Sequence, residues 1–252
     1  MASSSFLLWQ QCFKDKVSGA FTTRTGGVSE APYDSLNLGL HVGDNPEAVM
    51  SNRQRLEQAF GTKLVFMNQT HSSRVVTVSK TEDVFSKAVD ADGLVCFERG
   101  IGLAVMTADC LPLLMSAADG SAVGAVHCGW RGLAGGIVEN AVQAIRARTQ
   151  SEIVACMGPA IGPESFEVGE DVSEAFFNLL PDADSAFRKT ASVQGESKYL
   201  CSLYALCTKE LARLGISRVY GGIYDTFTQN DLFFSYRRDK KTGRMAGVIA
   251  II

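Results

Sequence analysis

Three residues carry side chains that can bind a metal or attack carbon, and each lies where the apolar pattern breaks. His71 sits in Asn68-Gln69-Thr70-His71-Ser72-Ser73, Cys110 in Thr107-Ala108-Asp109-Cys110-Leu111-Pro112, and His127 between Val123-Gly124-Ala125-Val126 and Cys128-Gly129-Trp130-Arg131-Gly132. Two imidazoles and a thiolate form a sensible zinc set. Three protein ligands leave a fourth position for water, the pattern of catalytic rather than structural sites, and water held there has a pKa of about 7. The same residues support a chemistry without metal, in which Cys110 is a nucleophile and His127 or His71 its base. Spacing does not separate the two, because the gaps match no short zinc motif and a thiolate either attacks carbon or binds metal. The plainest alternative is structural: hydrogen-bonded histidines at strand ends and a cysteine acting as a small buried hydrophobe.

Elements that position these residues can be read from periodicity. Residues 46–60 form an amphipathic helix opened by Asn45 and closed by Gly61. Strands are expected at 64–66 and 75–78, flanking the Gln-Thr-His turn, and at 102–105, 111–115, 122–126 and 153–157. Helices are expected at about 137–148, 171–180 and 202–214, and a terminal hairpin at 233–236 and 245–252 around Lys241-Thr242-Gly243. Short turns between several strands favour mixed sheets over one parallel sheet. The fold class is therefore α/β (α+β), a single compact domain of layered helices and mixed β-sheets covering residues 1–252.

Strand, glycines, then helix after His127 is an arrangement that aims backbone N–H groups at an anion, and Arg131 adds a cation there. The Gly129, Gly132 and Gly135 spacing fits neither a dinucleotide fingerprint nor a Walker loop, so a tight packing turn is an equal reading. Thr22-Thr23-Arg24-Thr25-Gly26-Gly27 puts another arginine beside a turn, a candidate for an anionic substrate. Arg237-Arg238-Asp239-Lys240-Lys241 is a basic run at a hairpin tip, whose lysines read as solvated.

Composition narrows the chemistry further. The chain has 252 residues, 46% of them hydrophobic and 20% charged, with a formal charge of −3. That is enough apolar material for a large core, without the basic excess of a nucleic-acid or membrane binder. Seven cysteines without a C-x-x-C pair read as reduced, and a cytoplasmic monomer acting on small molecules is expected, with no nucleic-acid or membrane partner. The three histidines are His41, His71 and His127, with no His-x-His. A multicopper cluster plus a blue-copper site needs more imidazoles than that.

Longer runs carry a resemblance. Thr22-Thr23-Arg24-Thr25-Gly26-Gly27-Val28, Pro32-Tyr33-Asp34-Ser35-Leu36-Asn37-Leu38-Gly39 and Val42-Gly43-Asp44-Asn45-Pro46 resemble the opening of the YfiH family, also called the laccase-domain or peptidoglycan-editing-factor family. The likeness continues through Gln69-Thr70-His71, Asp90-Ala91-Asp92, Met106 to Pro112, His127 to Gly132, Gly158 to Pro163, Phe166 to Gly169 and Phe234 to Asp239. It implies a zinc-type site on His71, Cys110 and His127, with copper as a substitute metal. Attributed activities differ: purine nucleoside phosphorolysis (adenosine, inosine, methylthioadenosine) with adenosine deamination, amidase editing of UDP-MurNAc-aminoacyl peptidoglycan precursors, and copper-dependent polyphenol oxidation. Under the first, Arg24 and Arg131 are candidates to hold phosphate, Gln69 to contact substrate, and Asp109 to transfer a proton or orient a ligand. Two departures stand out: Cys128, where a small residue such as alanine is expected, is a candidate extra thiol beside the metal, and Asp225-Thr226-Phe227, in place of Cys-Thr-Tyr, is a candidate added carboxylate.

Overall fold

Strands such as Gly102–Thr107 and Leu111–Ala117 are apolar at nearly every position, so neither face can be left to water. The computed structural model, which describes residues 7–13, 15–80, 85, 86, 88–177, 179, 180, 182–190 and 197–252, covers both faces. One six-stranded sheet runs in the order β1 (Leu7–Trp9), β2 (Val17–Thr22), β15 (Met245–Ile251), β7 (Gly102–Thr107), β3 (Leu64–Asn68), β5 (Val89–Asp90). A second runs β14 (Arg218–Gly221), β10 (Ile153–Met157), β8 (Leu111–Ala117), β9 (Val123–Cys128), β6 (Gly93–Cys96), β4 (Val75–Val78). A small third sheet pairs β11 (Glu167–Gly169), β13 (Lys198–Cys201) and β12 (Phe187–Lys189).

The two large sheets face each other across a core that includes Phe21, Leu103 and Val105 from the first and Leu94, Leu114 and Ala125 from the second. Helix α1 (Pro46–Phe60) covers the outer face of the first sheet through Leu56 and Phe60. Helices α2 (Trp130–Ala134), α3 (Ile137–Arg146), α4 (Glu170–Phe177) and α5 (Leu203–Arg213) cover the second. The result is one mixed α/β domain of four layers, with both parallel and antiparallel pairs in each large sheet. Each fully buried Leu, Ile or Val contributes about 1.5–3 kcal/mol to such a core.

Helix α1 follows its local signals: the Asn45 side chain accepts the Glu47 N–H at 2.8 Å, and Gly61 ends the helix at φ 85°. The terminal hairpin does not form. Phe233 and Phe234 are buried in a loop, and the Ser235 hydroxyl caps a one-turn helix, α6 (Tyr236–Asp239), by accepting the Arg238 N–H. The capping serine wins over a strand-like run of aromatic residues.

The strand expected at 122–126 extends to Cys128, because its antiparallel ladder with β8 carries on to the pair Leu111 and Cys128. His127 and Cys128 therefore lie inside the strand and point to opposite faces.

Candidate metal centre and active site

Strand direction brings the site together. Within the first sheet β3, β5 and β7 run parallel, so their carboxyl ends share one edge. Each chain then crosses to the second sheet, into β4, β6 and β8 respectively. His71 lies in the first crossing, Asp92 in the second and Cys110 in the third. Strand β9 is antiparallel to both β6 and β8, so its last residues return to the same edge and deliver His127.

There the donor atoms of His71, Cys110 and His127 all lie within 4.8 Å of one another. Cys110 Sγ is 3.9 Å from His71 Nε2, and the two imidazole rings stand edge to face with centroids 4.8 Å apart. Tetrahedral zinc with one thiolate and imidazoles needs donors about 3.3–3.6 Å apart, a contraction of roughly 1.5 Å at most. Gly129 lets the three converge: a Cβ there would stand 3.2 Å from Cys110 Sγ and 3.3 Å from His71 Cδ2. Donor types, spacing and an open side thus fit a catalytic metal position.

Asp92 braces the cluster. It is fully buried, and its carboxylate lies 2.8 Å from His127 Nδ1, which leaves Nε2 of that ring for the cluster. The same carboxylate accepts the N–H groups of Thr70, His71 and Ser72 at 3.1, 3.0 and 2.7 Å, with both flanking hydroxyls. This cradle of successive amides holds His71 at φ 60°, a left-handed conformation that costs energy for a histidine. Burial alone would raise the Asp92 pKa, but the hydrogen bonds from His127 and Ser72 hold it well below the usual carboxylate range.

The thiol and the imidazole polarise each other. Burial pushes the Cys110 thiol up, but the charge on His127 and hydrogen bonds from both histidines outweigh it, bringing it down to about 6. Burial opposes charge on His127, yet the Cys110 thiolate and Asp92 raise it to about 9. Without metal the pair is a thiolate and an imidazolium near neutral pH, so the arrangement suits a ligand or a nucleophile.

Other residues singled out in the sequence are engaged differently. Cys128 faces the helix layer, is fully buried beside Cys207, and its thiol is pushed well above the ordinary value by burial. It is not an extra thiol at the cluster. The Asp109 carboxylate accepts Thr226 Oγ1 at 2.7 Å and the Arg237 N–H at 2.6 Å, while its backbone takes φ 93°. It anchors the Cys110 turn to the C-terminal loops. Gln69 exchanges two hydrogen bonds with the Met106 backbone, both 2.8 Å, and so ties the His71 loop to β7. Arg24 bonds the Asp34 carbonyl, the Asn230 carbonyl and the Asp34 carboxylate, and lies over the Phe234 ring. Arg131 stacks on Trp130, 4.6 Å from the ring centroid, with its charge exposed.

Asp225 supplies no free carboxylate: its oxygens accept Gly162 N–H, Phe227 N–H and the Ser165 hydroxyl. Lys240 and Lys241 are exposed, as expected of the tip, whereas the two arginines of the same run act as latches. Arg238 donates to the carbonyls of Thr226, Phe227 and Phe233, and Arg237 to that of Glu167.

Asp92 is the residue that sequence reasoning left without a role. Its signal was an acid directly before the apolar run Gly93-Leu94-Val95-Cys96, since a buried carboxylate must have partners.

Comparison with known proteins shows the family. Residues 18–252 match the family described as multi-copper polyphenol oxidoreductase laccase. A purine nucleoside phosphorylase of Haemophilus influenzae is 46% identical over 230 residues, covering 90% of this chain and 91% of that protein. The Escherichia coli protein named purine nucleoside phosphorylase YfiH is 45% identical over 243 residues, 94% of each chain. Among solved structures, Neisseria meningitidis protein NMB0706 superposes with a TM-score of 0.90 at 44% identity, covering 98% of this chain and 99% of that one. YlmD from Geobacillus stearothermophilus superposes at 0.88 with 32% identity, covering 100% and 98%. Sequence and fold agree over almost the full length, and the chain belongs to the YfiH, or laccase-domain, family.

Proposed function

We propose that residues 1–252 act as one catalytic domain, a zinc-dependent purine nucleoside phosphorylase for adenosine, inosine and methylthioadenosine that also deaminates adenosine. The observation that carries this reading is the open three-donor cluster braced on Asp92 at the strand-end rim. The names of the Haemophilus influenzae and Escherichia coli relatives support it. When bound, the metal supplies Lewis-acid polarisation and activation of water. His71, Cys110 and His127 would hold it, with the Cys110 proton already easily lost. Asp92 fixes the ring orientation of His127 and the loop of His71, so the donor set is formed before substrate arrives.

In phosphorolysis a phosphate oxygen bonds to the anomeric carbon while the carbon–nitrogen bond to the purine breaks. The electron pair goes to the base, which takes up a proton. Cations at the rim offset the charge of the entering phosphate. In deamination water adds to the purine carbon bearing the amino group, and ammonia leaves.

The test is purified, zinc-loaded protein with inosine. Hypoxanthine and ribose 1-phosphate are expected only when phosphate is present. Phosphate-independent release, or release unchanged in Cys110→Ala, overturns the mechanism. The thiolate–imidazolium character of Cys110 and His127 favours one second reading, an amidase acting on UDP-MurNAc-aminoacyl precursors. Amide hydrolysis that survives removal of the metal distinguishes it. A single copper in the same three-donor position would account for weak polyphenol oxidation, whereas three histidines in the chain exclude the multicopper set.

A further inference from the structure

We propose that Arg53 and Arg244 form the subsite that holds a free phosphate dianion next to the His71, Cys110 and His127 cluster. The proposal rests on the phosphorolysis reading and names where its second substrate sits.

One loop seats both arginines. Arg53, on α1, donates Nε–H to the Leu38 carbonyl at 2.9 Å. Arg244 pairs with the same stretch through its backbone: its N–H donates to Asn37 Oδ1 at 2.9 Å, and its carbonyl accepts the Leu38 N–H at 3.1 Å. Gly39 leaves room for the Arg244 stem, since a Cβ there would stand 2.9 Å from Arg244 Cγ.

The same two residues are tied by separate routes to the loops that carry the cluster. Arg53 Nη2 is 3.8 Å from Met106 Sδ, and the Met106 backbone is the one clamped by Gln69. Gln69 stands two residues before His71. Arg244 directly precedes Met245, which pairs with Thr107 three residues before Cys110. The Arg244 cation in turn feels the negative charges of Cys110 and Asp109.

Burial without a counter-charge points to an anion. Arg24, Arg188, Arg213, Arg218 and Arg238 each lie against a carboxylate, and arginines without one, such as Arg74, Arg131 and Arg148, are exposed to water. Arg53 and Arg244 are half-buried, yet among the described residues neither has a carboxylate oxygen within 4.0 Å. Glu57, the acid felt by Arg53, spends an oxygen on the Leu64 N–H at 3.0 Å.

Arg244 Nη1 donates to the Thr242 and Gly243 carbonyls, both at 3.0 Å, and its Cζ lies 5.8 Å from the Tyr236 ring centroid, while its Nε and Nη2 have no hydrogen-bond partner among the described residues. The Arg53 guanidinium lies 3.8 Å above the Phe66 ring, which fixes its plane. Burial weakens both cations, bringing Arg53 down to about 10 and lowering Arg244, a penalty that a bound dianion would remove. Two planar forks with spare donors suit the several oxygens of phosphate. An anion held there would lie on the side of the loops that carry the cluster, so that its oxygen could bond to the anomeric carbon as the base departs.

The experiment compares zinc-loaded wild type with Arg53→Gln, Arg244→Gln and the matching lysine variants, using inosine and inorganic phosphate. KM for phosphate should rise at least about tenfold in each glutamine variant, with partial recovery in lysine, while KM for inosine changes less than about threefold. Arg148→Gln, which removes an arginine stacked on Phe97, should leave both constants unchanged. As a check needing no variant, inorganic phosphate should protect Arg53 and Arg244 of the wild type from phenylglyoxal, read by peptide mass mapping.

Unchanged phosphate KM in both glutamine variants, or no protection, overturns the subsite even if phosphorolysis proceeds. If wild type binds inorganic phosphate through these arginines but does not cleave inosine, the subsite stands and the phosphorolysis reading falls.

Discussion

Two thiols at the same end of adjacent strands show how far location decides chemistry. Cys110 lies one residue before Leu111, and Leu111 pairs with Cys128. Cys110 belongs to the rim of the sandwich, where a crossing loop exposes it partly and sets two imidazoles beside it. Cys128 belongs to the interior behind the second sheet, packed among helix side chains with Cys207 nearby. The rim lowers one thiol to about 6, and the interior pushes the other well above the ordinary value. Cysteine as a residue type thus says little, whereas the pleat and the loop that follows say which one can act.

The sharpest way to break this contrast is chemical labelling of metal-stripped protein. At pH 7 iodoacetamide should modify Cys110 more than about 100-fold faster than Cys128, by peptide mass spectrometry. Because the Cys110 pKa is lowered, its rate should climb as pH rises through about 6 and be level well before an ordinary thiol ionises. Equal rates at the two cysteines would erase the distinction, and zinc should suppress labelling of Cys110.

The next effect is smaller and tests the brace. Asp92→Asn keeps the shape but removes the charge that fixes His127, so metal affinity should fall about 10–100-fold in a chelator competition. Affinity within a factor of two of wild type would mean that Asp92 only supports the loop.

The smallest effect should come from the interior. Cys128→Ala removes one buried sulfur, for a loss of about 1 kcal/mol in denaturant unfolding. Turnover should stay within about twofold, and a large loss would place Cys128 in the working site after all.

Much of the scaffold is legible because local signals and tertiary needs coincide. Asn45 and Gly61 bound the first helix as their side chains demand, and the long apolar strands demanded cover on both faces. Two- and three-residue strands such as Val89–Asp90 and Glu167–Gly169 carry too little pattern to be seen. Phe233-Phe234-Ser235 read as strand although Ser235 makes a cap.

At the site, His71, Cys110 and His127 were visible as residue types, but spacing left ligand and nucleophile open. Asp109, Gln69 and Arg24 drew chemical roles from sequence proximity, yet folding uses their polar atoms as ties between loops. Arg53 and Arg244 were not singled out. Nothing in an amphipathic helix or before a terminal strand says that two arginines will share one loop and lack carboxylates.

The position of β15 has a consequence for how the molecule is made. The strand Met245–Ile251 lies between β2 and β7, in the middle of the first sheet. Strands from the first hundred or so residues therefore wait for a partner that leaves the ribosome more than 130 residues after Thr107. Until then two long apolar edges stand open, and a nascent chain is most exposed to aggregation in that interval. The closing strand also pairs Met245 with Thr107 and seats Arg244 against Asn37, so the rim would gain that charge only as the sheet becomes whole.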